Sequence, residues 1–256
     1  MNRGIYPILS GTIAQENRIQ VLTNNIANLR TTGFKRVTPV FQAVLASSGQ
    51  FAGSPGTVAA SFQPVVGPQS VAPERVFVNS RDLATDFGAG KLRETKGQFD
   101  MAIIGPGLFE VKTDQGLVYT RNGMFHLDDK NRLVTEKGDP VMGGKGELKL
   151  KKGDIRVLPN GEIEVDGAVA GKIKVVEFPE DKALRQVGEG YFVGENPKPI
   201  KDVALATGHL EESNVNAFEE MVRMIQVMRT YESGQKAFQT FDKLAELLIQ
   251  DVGRVA

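Results

Sequence analysis

What most constrains this chain is where its helical periodicity lies: at the two ends, with strand-like patterning between them. Near the start, Ile5, Ile8, Thr12, Gln15, Ile19, Leu22, Ile26 and Leu29 alternate by three and four, and six of these eight positions are apolar. That predicts an amphipathic helix with a narrow seam, the kind that packs on another helix. Toward the other end, Asn216 is placed to cap a helix, with Glu219 three residues on as in a capping box. Phe218, Met221, Ile225 and Met228 follow as a seam. After Tyr231 the seam resumes at Phe238, Phe241, Ala245, Leu248 and Val252. From Met228 to Phe238 the spacing is ten rather than eleven, so the heptad slips, and Gly234 lies inside the slip. The pattern predicts a helix from Ala217 to Val252, bent or overwound near Gly234. Such a helix is about 50 Å long, more than a compact domain of this size usually holds.

Between the ends, strand signals dominate. Met101–Ile104, Leu108–Lys112, Leu117–Thr120, Met124–Leu127 and Ile173–Phe178 are short, β-branched or aromatic, and bounded by Gly, Pro, Asn or Asp. Asp114–Gly116, Asn122-Gly123 and Asp128–Asn131 read as turns. Asn160-Gly161, between Ile155–Leu158 and Glu162–Val165, predicts a hairpin with a type I′ turn. Strands that follow one another without intervening helices predict an antiparallel β domain. Residues 37–73 contain no charge and are rich in Gly, Ser, Ala, Pro and Gln, which predicts an extended connector. The expected division is therefore 1–36 for an N-terminal assembly helix, 37–73 for the connector, 74–207 for the β-rich domain and 208–256 for a C-terminal assembly helix.

Composition removes several function classes. Lys+Arg and Asp+Glu both total 31, so no net field draws nucleic acid or an acidic membrane. Without Cys there is no disulfide, thiolate metal site or Cys nucleophile. No apolar run approaches the length of a membrane span, and the N-terminus lacks the apolar region of a cleaved secretory signal. His126 alternates with Phe125 and Leu127 in a predicted strand and His209 precedes the last helix, so both read as surface or packing residues. Asp128-Asp-Lys-Asn-Arg132 fails as a calcium loop at its fifth position, and no Gly holds the sixth. Gly105-Pro-Gly107 and Gly143-Gly-Lys-Gly146 complete no nucleotide fingerprint. The expectation is no enzyme, no cofactor and no metal.

Two apolar seams far apart in sequence need partners. They either pair with each other or pack against other copies of the chain. The face formed by Phe218, Met221, Met224, Ile225, Met228 and Tyr231 is wide for one partner, which favours assembly. The expected fold class is α+β, with N- and C-terminal helices pairing in a coiled-coil-like bundle and a central antiparallel β domain. The rival reading is a monomeric β-rich binding or sugar-active domain with a helical hairpin.

Three separated blocks carry a resemblance. The first is Met1-Asn-Arg-Gly-Ile-Tyr-Pro-Ile-Leu-Ser-Gly11, with Leu22-Thr-Asn-Asn-Ile-Ala-Asn28 and Thr32-Gly-Phe-Lys35. The second is Asp100-Met-Ala-Ile-Ile-Gly-Pro-Gly-Leu-Phe109, with Tyr119-Thr-Arg-Asn-Gly-Met-Phe125 and Gly138-Asp-Pro-Val-Met-Gly143. The third is Gly208-His-Leu-Glu-Glu-Ser-Asn-Val-Asn216, with Glu220-Met-Val222 and Met224-Ile-Gln-Val-Met-Arg-Thr-Tyr-Glu232. In this order they resemble the flagellar rod and hook protein family. Within it, the length and opening look most like the proximal rod members, with the distal rod members next. The resemblance implies a self-assembling axial protein of the periplasmic basal-body rod. It would be exported by the flagellar type III apparatus without a cleaved signal peptide. Its partners would be copies of itself and other axial proteins, proximal and distal rod subunits among them, with no nucleic acid and no membrane insertion. The rod would transmit torque and enclose the export channel.

The expected subunit interface holds Ile8, Ile19, Leu22, Asn24, Asn25 and Ile26 on the first helix. On the second it holds Phe218, Met221, Arg223, Ile225, Met228, Tyr231, Phe238, Phe241 and Leu248. The amide-rich strip Asn24–Asn28 reads as a helix end, since Asn competes with the helix for backbone groups. Asn24 and Asn25 are expected to bond between subunits. Asn28, Gly33, Phe34, Asn214 and Asn216 are expected to serve helix ends, with Gly33 at positive φ and Phe34 packed back.

Overall fold

A computed structural model gives the fold and describes residues 5–46, 75–179, 184–188 and 190–254, with backbone only at 5–7, 42–46, 75–82, 245 and 248–254. Two long helices close its ends, α1 over Ile5–Ala27 and α2 over Ala217–Arg254. The second has 38 residues, about 57 Å at 1.5 Å per residue. Short antiparallel strands occupy the middle, so the α+β class and central antiparallel β domain stand. The chain divides into two compact units. One comprises Met1–Ile19, Pro39–Asp82 and Ile225–Ala256, and the other Gln20–Thr38 and Leu83–Met224. Of the connector expected over 37–73, Val37–Ala46 is a strand paired with Arg75–Thr85, and 47–73 lies outside the described residues.

The second unit is built on a six-stranded sheet with Leu108–Thr113 and Gly116–Thr120 as its central hairpin. Period-two alternation buries both faces. Leu108, Tyr119, Val176 and Phe192 pack on one side, with Tyr119 edge-on to Phe178 at 4.8 Å between ring centroids. Phe109, Val175, Ile163 and Leu205 lie in the larger cluster on the other, where Phe109 meets Phe125 edge-on at 5.2 Å. Two strand pairs fold the chain on either side of Gly208 back onto the start of the second motif block and the segment before it. Leu205–Thr207 pairs with Met101–Ile103, and His209–Glu211 with Leu92–Glu94.

The Asn160-Gly161 hairpin forms, but with Val157 opposite Ile163 rather than Glu164, because its turn is not type I′. Pro159 fixes the second turn residue at negative φ. Gly161 donates to Leu158 O at 3.0 Å and takes the positive φ of 81° alone. This is a type I turn closed by a left-handed glycine. The Asp128–Asn131 turn holds its shape through Asp128, whose carboxylate accepts from the backbone N–H of Lys130 and Arg132 and pairs with the Arg132 guanidinium at 2.8 Å. His126 is exposed in its strand, and His209 donates from Nδ1 to Thr207 O at 2.9 Å.

In the first unit Ala14 and Val227 are buried. At Gly234 a Cβ would stand 3.0 Å from Thr12 Oγ1, so α2 passes close to α1 there. α2 runs through Gly234 as one helix, and the expected slip has a different origin. Phe218, Met221, Ile225 and Met228 are exposed, whereas Glu220 and Val227 are buried and Tyr231, Gly234 and Phe238 are half-buried. The pattern read from sequence had joined an outward stripe ending at Met228 to an inward one reaching Phe238. A ten-residue offset separates neighbouring stripes of one straight helix.

Candidate assembly site

The three motif blocks meet in the second unit around one buried carboxylate. Glu211 of the strand His209–Glu211 is 2 % exposed. Its Oε1 accepts from Lys35 Nζ at 2.6 Å and from Gly90 N at 2.8 Å, and its Oε2 accepts from Arg121 Nε at 2.6 Å. Lys35 also donates to Gly88 O at 2.7 Å. The Arg121 guanidinium fills the Gly105-Pro-Gly107 turn, donating to the carbonyls of Ile103, Gly105 and Gly107. This gives the glycines of that turn a purpose, since Gly105 and Gly107 have φ of 97° and 124° and aim their carbonyls inward. Burial pushes the Lys35 ammonium below the usual lysine range, with Glu211 acting against it. Burial also works to raise the Glu211 carboxyl, but Arg121 and Lys35 outweigh it and hold it below the usual glutamate range. With its two cationic side chains bonded to one buried carboxylate and to backbone carbonyls, the node is a structural lock.

The backbone of the first block is fastened to the same strand. Gly33 N donates to Glu211 O at 2.7 Å. Gly33 has φ of 68°, and a Cβ there would stand 2.4 Å from Asn122 N, so the position admits only glycine. Phe34 is buried beside it. α1 ends at Ala27, six residues earlier, so Gly33 serves the approach to Asn122 rather than the helix cap. The end itself is closed by Asn28, which donates from its side chain to Asn24 O at 2.9 Å and accepts from Thr31 Oγ1 at 3.0 Å.

Asn25 corrects an expectation. Its side chain is fully buried and bonded inside the chain. It exchanges two hydrogen bonds with Val37, Nδ2 to O at 2.8 Å and N to Oδ1 at 3.0 Å, as a neighbouring strand would, and donates to Glu220 Oε2 at 3.2 Å. The reason is geometric: Asn25 is three residues on from Leu22, on the face of α1 that points into the unit. Asn24 is exposed and makes no side-chain hydrogen bond among the described residues. Asn214 joins three segments, accepting from Arg36 N at 2.7 Å and donating to Asp86 O at 2.8 Å and Gly88 O at 3.1 Å. Asn216 caps α2, accepting from Phe218 N at 3.1 Å. Glu219 accepts from the Asn216 side chain at 3.4 Å rather than closing the box on the backbone.

The outward stripe of α2 is the second element of the site. In the second unit it presents Phe218, 83 % exposed, with Met221 and Val222 about half exposed. Within the first unit Ile225, Met228, Phe241, Leu244 and Leu247 are exposed on α2. Arg223 is turned to its own helix, pairing with Glu220 at 2.9 Å and Glu219 at 3.3 Å. Of the other interface candidates, Leu22 is buried, and Ile8, Ile19, Ile26, Tyr231 and Phe238 are half-buried. The side chain of Leu248 lies outside the described residues. The lock of Lys35, Arg121 and Glu211 was not anticipated, although each motif block supplied one of its charges amid glycine and apolar residues.

A buried ionic lock that joins three distant blocks, with one helix face left apolar and exposed, fits an assembly protein. Residues 5–35 match the family described as flagella basal body rod protein. Residues 102–175 match the flagellar hook protein FlgE/F/G D1 domain, and residues 206–251 the flagellar basal body rod FlgEFG protein C-terminal. A flagellar basal-body rod protein FlgG of Buchnera aphidicola subsp. Acyrthosiphon pisum is 30% identical over 261 residues, covering 94% of this chain and 96% of that one. A FlgF of Mesorhizobium japonicum is 29% identical over 240 residues, covering 91% and 90%. A FlgF of Caulobacter vibrioides is 27% identical over the whole of both chains. The chain belongs to the flagellar basal-body rod protein family, and its role is structural.

Proposed function

We propose that this chain is the proximal rod subunit of the flagellar basal body, and that its outward α2 stripe is buried against neighbouring axial subunits. The observation that carries the reading is the stripe of Phe218, Met221, Val222, Ile225 and Met228, large apolar side chains left in water by a single chain. In the rod, α1 and α2 pair with each other and with the helices of adjacent copies as a coiled-coil-like inner tube. The β domain stands outside it. Residues on α1 and α2 beyond the β-bearing unit gain order on assembly, which keeps the free chain fit for export. Its partners are copies of itself, proximal and distal rod subunits and the flagellar type III export apparatus. It resides in the periplasm, is exported without a cleaved signal peptide, transmits torque, encloses the channel and catalyses no reaction.

Distal rod is the second reading, favoured by the FlgG relatives being as similar as the FlgF ones. Imaging of basal bodies from a deletion strain separates the two. Loss of the proximal rod with everything beyond it supports the first reading, and a proximal rod that persists without its distal part supports the second. Complete flagella in that strain would contradict both.

A further inference from the structure

We infer that Asn25 and Glu220 form a polar clamp that fixes the roots of both terminal helices in register before assembly. Residues 20–27 of α1 and 217–224 of α2 lie in the β-bearing unit. Isolated segments this short do not hold a helix in water, because the first turn costs more than one hydrogen bond returns. Here tertiary contacts hold them. Asn25 is tied to Val37 through both N–H and C=O, so the strand entrance fixes its rotation about the α1 axis. Its remaining donor reaches Glu220, at the first full turn of α2. Glu220 is 1 % exposed; its other oxygen accepts from Arg223 Nη1 at 2.9 Å, with Arg36 Nη1 at 3.9 Å. The cap at Asn216 and the Arg223 pairs lie within these same two turns.

The rest of α2 is held differently. From Ile225 to Leu247, Val227 alone is buried among the described side chains. Such a segment belongs to the low-stability end of a fold. The roots are therefore ready-made helix nuclei, and assembly extends them without repeating nucleation. Register is set by the clamp, so every incoming subunit presents Phe218, Met221 and Val222 at the same angle. Asn25 and Glu220 are positioning residues in this scheme. The extension step rests on the assembly role proposed above; the clamp itself does not.

Amide hydrogen exchange on the free full-length chain tests the clamp without requiring assembly. The expected profile is slow exchange at 20–27 and 217–224 and exchange at least tenfold faster at 225–247. Asn25→Asp sets a second carboxylate beside Glu220 and is expected to speed exchange at 217–224 by tenfold or more, with 101–120 unchanged. Adding Glu220→Gln supplies an amide donor to that carboxylate and is expected to recover part of the protection, since the oxygen facing Val37 O remains. Uniformly slow exchange along α2, fast exchange at 217–224 in the unaltered chain, or no response to Asn25→Asp would each overturn the clamp. If Asn25→Asp also unfolds the β-bearing unit, the profile of the unaltered chain remains decisive. A rod that fails to form while this profile holds would count against the assembly role alone.

Discussion

Lys35 and Glu211 meet at 2.6 Å, both almost fully buried, across 176 residues of sequence. Burying two charges costs several kcal/mol each, and close contact with further hydrogen bonds offsets it. Arg121, Gly88 O and Gly90 N supply those further bonds. Glu211→Ala leaves two cations without their anion and is expected to cost about 3–5 kcal/mol. Urea denaturation followed by tyrosine fluorescence measures it. A loss within 1 kcal/mol, as expected of an exposed pair, would show that the node does not hold the three blocks together.

The same carboxylate sets an acid limit. Glu211 has a folded pKa below its ordinary value of 4.5. Between the two values the unfolded chain binds more protons than the folded one, so stability increases with pH there. The contribution is complete above about 4.5 and is lost as pH falls through the folded value. Denaturation midpoints measured from pH 6 downward should decline more steeply in the natural chain than in Glu211→Gln. Parallel pH profiles would contradict the assignment.

Gly234 offers a test on the helical unit. Glycine inside a helix costs about 1 kcal/mol relative to alanine, so propensity alone favours Gly234→Ala. Its new Cβ, however, would stand 3.0 Å from Thr12 Oγ1, which is held by a 2.9 Å hydrogen bond to Ile8 O. The substitution is expected to raise helix content in the free chain by circular dichroism while impairing motility. Adding Thr12→Ala is expected to restore motility, because it removes the obstructing side chain. Full motility in Gly234→Ala alone would mean that α1 and α2 do not approach there in the working rod.

Much of the fold was legible because period carries it. Strands such as Leu108–Thr113 and the capped start of α2 at Asn216 follow from local alternation and turn chemistry. The face of α2 was harder to read. An amphipathic helix with two apolar stripes has two partners, and periodicity does not say which stripe meets its own chain. The charges of the lock escaped notice for another reason. Lys35 and Arg121 sit in irregular loop segments and Glu211 in a short strand, and only tertiary folding joins them across 90 and 176 residues. Asn25 was expected to bond between subunits because the helix end is rich in amides, whereas here it stands in for a strand within its own chain.

The exposed stripe predicts its own loss. Met221→Asp is expected to abolish incorporation into the rod, since a carboxylate buried in an apolar contact has no partner. The β-bearing unit should keep its melting temperature, because Met221 is 50 % exposed in the single chain. Normal motility with that substitution would contradict an interface at this position.

Because the chain has no cysteine, one introduced thiol reports on one site alone. In Met221→Cys, the rate of maleimide labelling compares the free chain with basal bodies isolated from a strain that the variant renders motile. An interface at this stripe predicts rapid labelling of the free chain and protection of at least tenfold in the basal body. Equal labelling in both would contradict the burial of the α2 stripe between subunits.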